Sequence, residues 1–310
     1  MTKVAIVAGS SMGDAILSIP LLRNVRNNYP DAEITLIIGS ATTGLPILNS
    51  CPYINKIVQI ETHTILKGLK AIFKIRKLKK KYDVLIVGAP ITETKKNFAR
   101  IIKPGKAIIA DVEETQPLVE TNLKTLKYAG LNIDDGHLEV FFKCDEQKSD
   151  IIAIYPGRDT DKYRKLPAEK WKTIINSIPE KYQVVFIGGR DCKDTIENIR
   201  KVQTRETKDM SGTMLIPDFA CYLKKCALVI SINGGPMHLA TAVNTPVIAI
   251  NTSSMPMWRA WNPTNKNIKT VWGKRCSNPC KHDSCDKLKA ECVESVQIKQ
   301  VTESIKELLK

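Results

Sequence analysis

The chain has 310 residues, 43% of them hydrophobic and 25% charged, a balance that excludes disordered, collagenous and coiled-coil classes and leaves room for two domains of roughly 100–200 residues each. Its net charge is +15, from 47 Lys and Arg against 32 Asp and Glu, so a polyanionic partner is expected: nucleic acid, an anionic membrane or a phosphorylated small molecule. No apolar run approaches the roughly 20 residues that cross a bilayer, and the opening MTKVAIVAGSSMGDA has no long apolar core or small-residue cleavage site, so the chain is expected to stay in the cytoplasm.

In chain order the pattern is strand, loop, helix, repeated. Short apolar runs of the kind buried on both faces of a parallel sheet occur at 4–7, 34–38, 57–60, 84–87 and 107–110. They alternate with helical stretches from Ile16 to Val25 and near 43–49, 65–80, 93–102 and 115–129. Within the third of these, Lys67, Lys70, Lys74, Arg76, Lys77, Lys79, Lys80 and Lys81 accompany an apolar stripe of Leu66, Leu69, Ile72 and Phe73. Such a helix suits an anionic membrane surface, or else buries its stripe in a core and solvates its lysines.

After the polar stretch 144–150 the alternation restarts, with strands at 151–155, 184–187, 228–232 and 247–250 and helices near 167–177, 191–201, 215–225 and 236–243. Val301, Ile305 and Leu308 indicate a last helix, which could pack back on the N-terminal domain. The fold class is therefore α/β, with a domain at 1–148 and a second at 149–310. Ligand is expected in a cleft at the carboxyl ends of the strands.

Three post-strand loops carry chemistry. The first is Ser10-Ser11-Met12-Gly13-Asp14, where glycines let the backbone approach a ligand at a helix N-terminus and where Ser11 or Asp14 could simply cap that helix. Its pattern is not GxGxxG, which argues against a nicotinamide dinucleotide. The second is Tyr155-Pro156-Gly157-Arg158, followed by Lys162, Arg164 and Lys165, four basic side chains that could neutralise a diphosphate or form a solvated loop. The third is Asn233-Gly234-Gly235-Pro236-Met237-His238-Leu239-Ala240, a strand running into glycines and a proline-started helix whose N–H groups can face phosphate oxygens. Taken singly, Met237 reads as core and His238 as a structural histidine.

Together these segments resemble glycosyltransferase family 9, the ADP-heptose:lipopolysaccharide heptosyltransferases, whose members carry SSLGD, then HPG with a downstream K-R-W-P, then DSGPMHLA. The corresponding residues here are Ser10–Asp14, Tyr155–Gly157 with Arg164-Lys165-Leu166-Pro167, and Asn233–Ala240. Asn233 replaces the family's acid, Tyr155 its His and Leu166 its Trp; an Asn keeps a hydrogen bond but not the charge.

The resemblance implies a GT-B fold of two Rossmann-like domains facing across a cleft, with donor on the C-terminal domain, acceptor on the N-terminal one, and metal-independent inverting transfer. It implies Asp14 as general base, with Arg164 and Lys165 stabilising the diphosphate as it leaves. It further implies donor binding by Tyr155, Gly157, Arg158, Lys162, Met214, Asn233, Gly234, Gly235, Pro236, Met237 and His238, a ribose-binding acid within 191–197, and acceptor binding by Ser10, Ser11, Met12 and Gly13. The expected partners are a nucleotide-sugar donor, ADP-heptose, a phosphorylated lipopolysaccharide-type acceptor and the cytoplasmic face of the inner membrane. Alternatives are a GT-B-like nucleotide-sugar epimerase and a non-catalytic nucleotide-sugar-binding protein. No nucleic-acid module is visible, so nucleic acid is not an expected partner.

Nine cysteines complete the inventory. Cys51, Cys144, Cys192, Cys221 and Cys226 are scattered and read as buried small hydrophobes. Cys276, Cys280, Cys285 and Cys292 are clustered and could hold a structural zinc or iron, although their spacing is not that of paired C-x2-C hooks. Disulfides or free thiols are the other readings, and no cofactor is expected for catalysis.

Overall fold

The apolar runs become strands of two all-parallel sheets. The computed structural model describes residues 1–61, 71, 73–90, 93–110, 116–145, 147–161, 165–252, 256–274 and 291–310. The chain folds as two compact units, Met1–Phe141 and Phe142–Lys310.

The first unit holds β1 (Lys3–Val7), β2 (Glu33–Ile38), β3 (Lys56–Gln59), β4 (Val84–Val87) and β5 (Lys106–Ile109), in the order β3-β2-β1-β4-β5. Its described helices are α1 (Met12–Asn28), α2 (Leu45–Asn49), α3 (Glu93–Ile102) and α4 (Leu118–Tyr128). β4 is buried along its whole length, and β1 from Val4 onward, as expected of central parallel strands covered on both faces. One face packs Ala5, Val7, Leu85 and Val87 against Ala71, Ile75, Ala99 and Ile102.

The second unit holds β6 (Ile151–Tyr155), β7 (Gln183–Phe186), β8 (Thr207–Asp209), β9 (Leu228–Ile232), β10 (Val247–Asn251) and β11 (Ile268–Trp272), in the order β11-β10-β9-β6-β7-β8. Its described helices are α5 (Ala168–Asn176), α6 (Lys193–Val202), α7 (Ile216–Lys225), α8 (Gly235–Ala242), α9 (Glu291–Glu294) and α10 (Ile298–Leu308). α10 packs within this unit, on α5, β10 and β11, with Val301 and Ile305 fully buried and Glu307 paired to Lys269 of β11.

Two edge strands, β8 and β11, are absent from the sequence reading. TKD and IKTVW lack a continuous apolar run: as edge strands paired on one side only, β8 and β11 tolerate polar, partly exposed positions. Of the basic helix read at 65–81, residues 65–70 and 72 lie outside the described residues, Leu66, Leu69 and Ile72 included. In its described part Ala71 and Ile75 are buried, whereas Phe73, read as part of the apolar stripe, is 65% exposed. Among the described residues no helix is long and apolar enough to cross a membrane.

The division at Phe141 falls seven residues before the boundary read from sequence, because the polar stretch that resembles a linker is fastened to the second unit. Cys144 forms a disulfide with Cys221 of α7, Lys148 Nζ donates to the Lys224 carbonyl, and Ser149 N donates to the Lys225 carbonyl. Cys144 and Cys221 are therefore not buried hydrophobes; Cys51, Cys192 and Cys226 are.

Upstream, residues 131–141 have no regular structure and are strapped to α1 by Arg23. Its guanidinium, 7% exposed, pairs with Asp134 and Glu139 and donates to the His137 carbonyl, while Tyr53 Oη adds a bond to Glu139 at 2.8 Å. Arg23→Ala is expected to destabilise the first unit by about 3 kcal/mol, at the low end for breaking a buried ion pair because both carboxylates retain access to water. A urea melt of the variant that overlays the parent's would show that the strap contributes nothing.

Candidate functional site

In an open parallel sheet the free corner lies where successive connections leave in opposite directions. The strand orders place that corner between β1 and β4 in the first unit and between β6 and β9 in the second. The three motifs fall on these corners: Ser10–Asp14 follows β1, Tyr155–Lys165 follows β6, and Asn233–Ala240 follows β9.

At the first corner Ser11 caps α1. It sits in extended backbone, its Oγ accepts from Asp14 N at 3.4 Å, and it donates to Asp14 Oδ2 at 2.7 Å, a reciprocal arrangement like a capping box. The capping role thus belongs to Ser11, and it pins the Asp14 carboxylate. That carboxylate lies over Gly9, where a Cβ would come within 2.5 Å of Asp14 Cγ, so only glycine permits the placement. Asp14 Oδ1 has no hydrogen-bond partner among the described residues. Ser10, 5% exposed, uses its carbonyl to accept Gly44 N–H, and Met12 N donates to Thr43 Oγ1 at 3.1 Å. Ser10 therefore holds the loop rather than offering a side chain to solvent.

The sequence reading misses the other half of this corner. After β4 come Gly88, Ala89 and Pro90, and Lys95 of α3 reaches back to donate to the Gly88 carbonyl at 3.0 Å and the Pro90 carbonyl at 2.8 Å. Burial pushes its ammonium down to about 8, with the Asp14 carboxylate acting in the opposite sense. The available signal is positional: a lysine just after an inner strand, outside any motif.

At the second corner the glycines make room for one ring. Tyr155 is 5% exposed, and burial pushes its phenol up. A Cβ on Gly234 would stand 2.9 Å from Tyr155 Cε1, and one on Gly188 would stand 3.2 Å from the same ring. Gly157, with φ +101°, turns the chain so that a Cβ there would lie 3.6 Å from Lys165 Cγ and 4.0 Å from Ile232 Cγ2. The structure thereby brings Tyr155, Gly157, Lys165 and Gly234 together.

The charges of the β6 loop are already partly matched. Arg158 donates to Asp161 through Nε at 3.3 Å and Nη2 at 2.9 Å; these bonds outweigh desolvation and raise the guanidinium's affinity for its proton. Its charge is offset locally, so the expected cluster of four open cations is smaller. Asp159 accepts from Thr195 N, Thr195 Oγ1 and Asp194 N at the start of α6; although desolvation opposes them, these bonds hold its carboxyl below the usual range. Lys165 Nζ donates to the Asp159 carbonyl at 3.0 Å, which fixes its stem beside Gly157. Lys162 and Arg164 lie outside the described residues.

α8 begins at Gly235 with Pro236 in its first turn, and helix geometry leaves the N–H groups of Gly235 and Met237 without intrahelical acceptors. Met237 is fully buried and belongs to the core. His238 is 2% exposed with no partner for Nδ1 among the described residues, and burial pushes it down to about 4, so it is neutral at pH 7 and offers no charge to a phosphate. Asn233 Nδ2 donates to the Trp258 carbonyl at 2.9 Å, a bond an aspartate could not make, which accounts for the amide at this position. Half-buried Met214 lies in the turn after β8, a turn joined to Gly188 by the bond from Gly212 N at 2.8 Å. Of the cysteine cluster, Cys276, Cys280 and Cys285 lie outside the described residues, while Cys292 is buried in α9.

This pair of corners has relatives. Lipopolysaccharide heptosyltransferase 3 of Escherichia coli (strain K12) is 24% identical over 311 residues, covering 87% of this chain and 88% of that protein. Among solved structures, a glycosyl transferase family 9 protein from Veillonella parvula superposes with a TM-score of 0.76 at 16% identity, over 99% of this chain and 97% of that one. The E. coli ADP-heptose lps heptosyltransferase II gives 0.67 at 18% identity, over 99% and 98%. These likenesses bear out the GT-B class of the two parallel-sheet units. The model of glycosyltransferase family 9 (heptosyltransferase) matches residues 68–291, which span most of the chain and include the second and third motifs. On that match the chain belongs to glycosyltransferase family 9, the heptosyltransferase family.

Proposed function

We propose that this protein is an inverting glycosyltransferase that moves heptose, or a closely related sugar, from a nucleotide diphosphate donor, ADP-heptose, to a lipopolysaccharide core. The observation that carries the reading is the second unit's β6/β9 corner, where Lys165 is fixed on the Asp159 carbonyl beside Gly157 and the helix after β9 starts at Gly235 with open N–H groups. A leaving diphosphate gains negative charge as the glycosidic bond breaks, and preorganised positive groups at that point lower the barrier. Lys165, with Arg164 from the same loop, stabilises the diphosphate, while Gly235 and Met237 offer backbone N–H groups. The remaining donor contacts are assigned to Tyr155, Gly157, Asn233 and the turn holding Met214. In the first unit Ser11 to Gly13 border the acceptor, and Asp14 is the general base that takes the proton of the attacking hydroxyl on Oδ1 while Ser11 holds Oδ2.

A divalent metal is not required in this reading, because positive charge is supplied by the chain itself. The nearby carboxylates are engaged, Asp159 by the start of α6 and Asp161 by Arg158, and the amide of Asn233 is a poor anchor for a hard cation. The epimerase and the non-catalytic readings lose ground to the family match and the heptosyltransferase relative.

The protein acts at the cytoplasmic face of the inner membrane. Exposed Phe73 stands beside Lys74, Arg76, Lys77, Lys79, Lys80 and Lys81, all at the surface, a combination suited to anionic headgroups.

Asp14→Asn is expected to lower kcat for sugar transfer by about 10²–10⁴-fold with little change in donor affinity, the range for loss of a general base. The rate of the parent is expected to survive excess EDTA. Near-normal turnover of the variant would reduce Asp14 to a partner of the helix cap. Activity that vanishes in EDTA with circular dichroism unchanged, and returns only with Mg²⁺ or Mn²⁺, would overturn metal independence.

Replacing Lys77, Lys79, Lys80 and Lys81 together by Gln should weaken binding to anionic vesicles by about tenfold or more while leaving turnover on a soluble acceptor analogue unchanged. Equal vesicle binding by variant and parent would mean that these lysines are merely solvated.

A further inference from the structure

We propose that the second unit carries a saccharide-binding groove along β11, in which Arg259 pairs with a phosphate while the indole of Trp272 lies against the sugar. The ligand is the phosphorylated saccharide of the lipopolysaccharide acceptor. The groove lies outside the donor and acceptor assignments above, and it rests on the proposed function only for the choice of that saccharide.

The groove exists because one face of an edge strand has no helix over it. Side chains alternate along β11, so Lys269 and Val271 share one face and Ile268, Thr270 and Trp272 the other. α10 covers the first face: Val271 is buried, and Lys269 pairs with Glu307 at 2.6 Å. The second face borders the connection from β10 to β11, whose described part holds a 3₁₀ turn at Pro256–Trp258 and no α-helix. Side-chain amides pin this connection at three points. Asn233 Nδ2 donates to the Trp258 carbonyl at 2.9 Å, Asn262 Nδ2 to the Thr241 carbonyl of α8 at 2.9 Å, and Asn265 Nδ2 to the Thr245 carbonyl at 2.8 Å. The backbone is thus fixed to the scaffold, while Arg259 and Trp261 stay partly exposed. Between them and the uncovered face of β11 is a cavity of about 390 Å³.

The lining has the chemistry of a site for an anionic sugar. Arg259 holds its guanidinium over the Trp261 ring, 6.0 Å from the centroid, and has no ion pair or hydrogen bond among the described residues. No Asp or Glu is among the described residues that line the cavity, so that charge is not offset there. A guanidinium supplies paired N–H groups that match two phosphate oxygens, and stacking on an indole fixes its plane. Trp272 is 37% exposed, a large aromatic surface left facing water. The face of a pyranose ring presents C–H groups that rest on such a surface, while its hydroxyls need polar partners. Thr270 Oγ1, unpartnered among the described residues, offers one. A wholly apolar partner would bury Arg259 unpaired, and a bare anion would leave the indole unused. A phosphorylated saccharide satisfies both.

The test titrates the parent, Arg259→Gln and Trp272→Leu in saturating ADP, which fills the donor site. Three probes are used: a lipid-free phosphorylated core oligosaccharide, the same oligosaccharide after phosphatase treatment, and inorganic phosphate. Both variants are expected to keep the parent's thermal midpoint and to bind the phosphorylated oligosaccharide about tenfold or more weakly, with the Arg259→Gln difference narrowing as salt rises. The dephosphorylated oligosaccharide should bind the parent and Arg259→Gln alike, because the guanidinium has lost its partner, yet still bind Trp272→Leu more weakly. Inorganic phosphate should bind the parent about tenfold or more weakly than the phosphorylated oligosaccharide does. Equal affinity of both folded variants and the parent for the phosphorylated oligosaccharide, no binding by the parent, or phosphate bound as tightly as the oligosaccharide would overturn the proposal. Sugar transfer by the parent is assayed in parallel: transfer with an inert groove overturns the groove alone, and the predicted binding pattern without transfer overturns the proposed function and leaves the groove standing.

Discussion

Parallel pairing of β1 with β4 and of β6 with β9 is the constraint on which the rest depends. Central parallel strands must be covered by helices on both faces, so their side chains are committed to the core and polar chemistry is confined to the strand ends. Val4 to Val7, all of β4 and all of β9 are buried accordingly. At each switch in strand order two loops diverge, and the space between them is where backbone groups and helix starts stay available. The two corners are therefore where the proposed chemistry is assigned, because polar groups are confined to the strand ends.

Within each corner, close approach governs composition. Gly9 is glycine because a carboxylate lies across it, and Gly234 because a buried phenol ring does. Gly157, in left-handed backbone, lies beside the Lys165 stem and Ile232 at the end of β9. Charge follows the same economy of space: acids beside the β6 loop are bound to Arg158 or to the start of α6, and Lys165 is held on the Asp159 carbonyl beside Gly157. His238, neutral and enclosed, contributes shape rather than charge.

Much of this is legible in the sequence for physical reasons. Runs such as VAIV and VLIV announce doubly covered strands, and glycine followed by an N-cap serine announces a turn into a helix. What is not legible is pairing across the fold. That Arg23 straps residues 131–141 to α1 and that Cys144 joins Cys221 depend on backbone paths that no local pattern encodes. Lys95 escapes for the same reason, since only the β1/β4 register reveals that it shares a corner with Asp14. The edge strands β8 and β11 escape because TKD and IKTVW hold no continuous apolar run to read.

Calorimetric titration of ADP into the protein and into Lys165→Ala, at low and at moderate salt, tests the central claim most directly, because ADP carries the diphosphate without the chemistry. The account predicts that the parent binds ADP, that the variant binds about tenfold or more weakly, and that the difference narrows as salt rises, as expected for a charge-assisted contact to phosphate. Equal affinity of the two proteins at low salt, with Lys165→Ala still folded, would contradict the assignment of the β6/β9 corner to the donor's diphosphate.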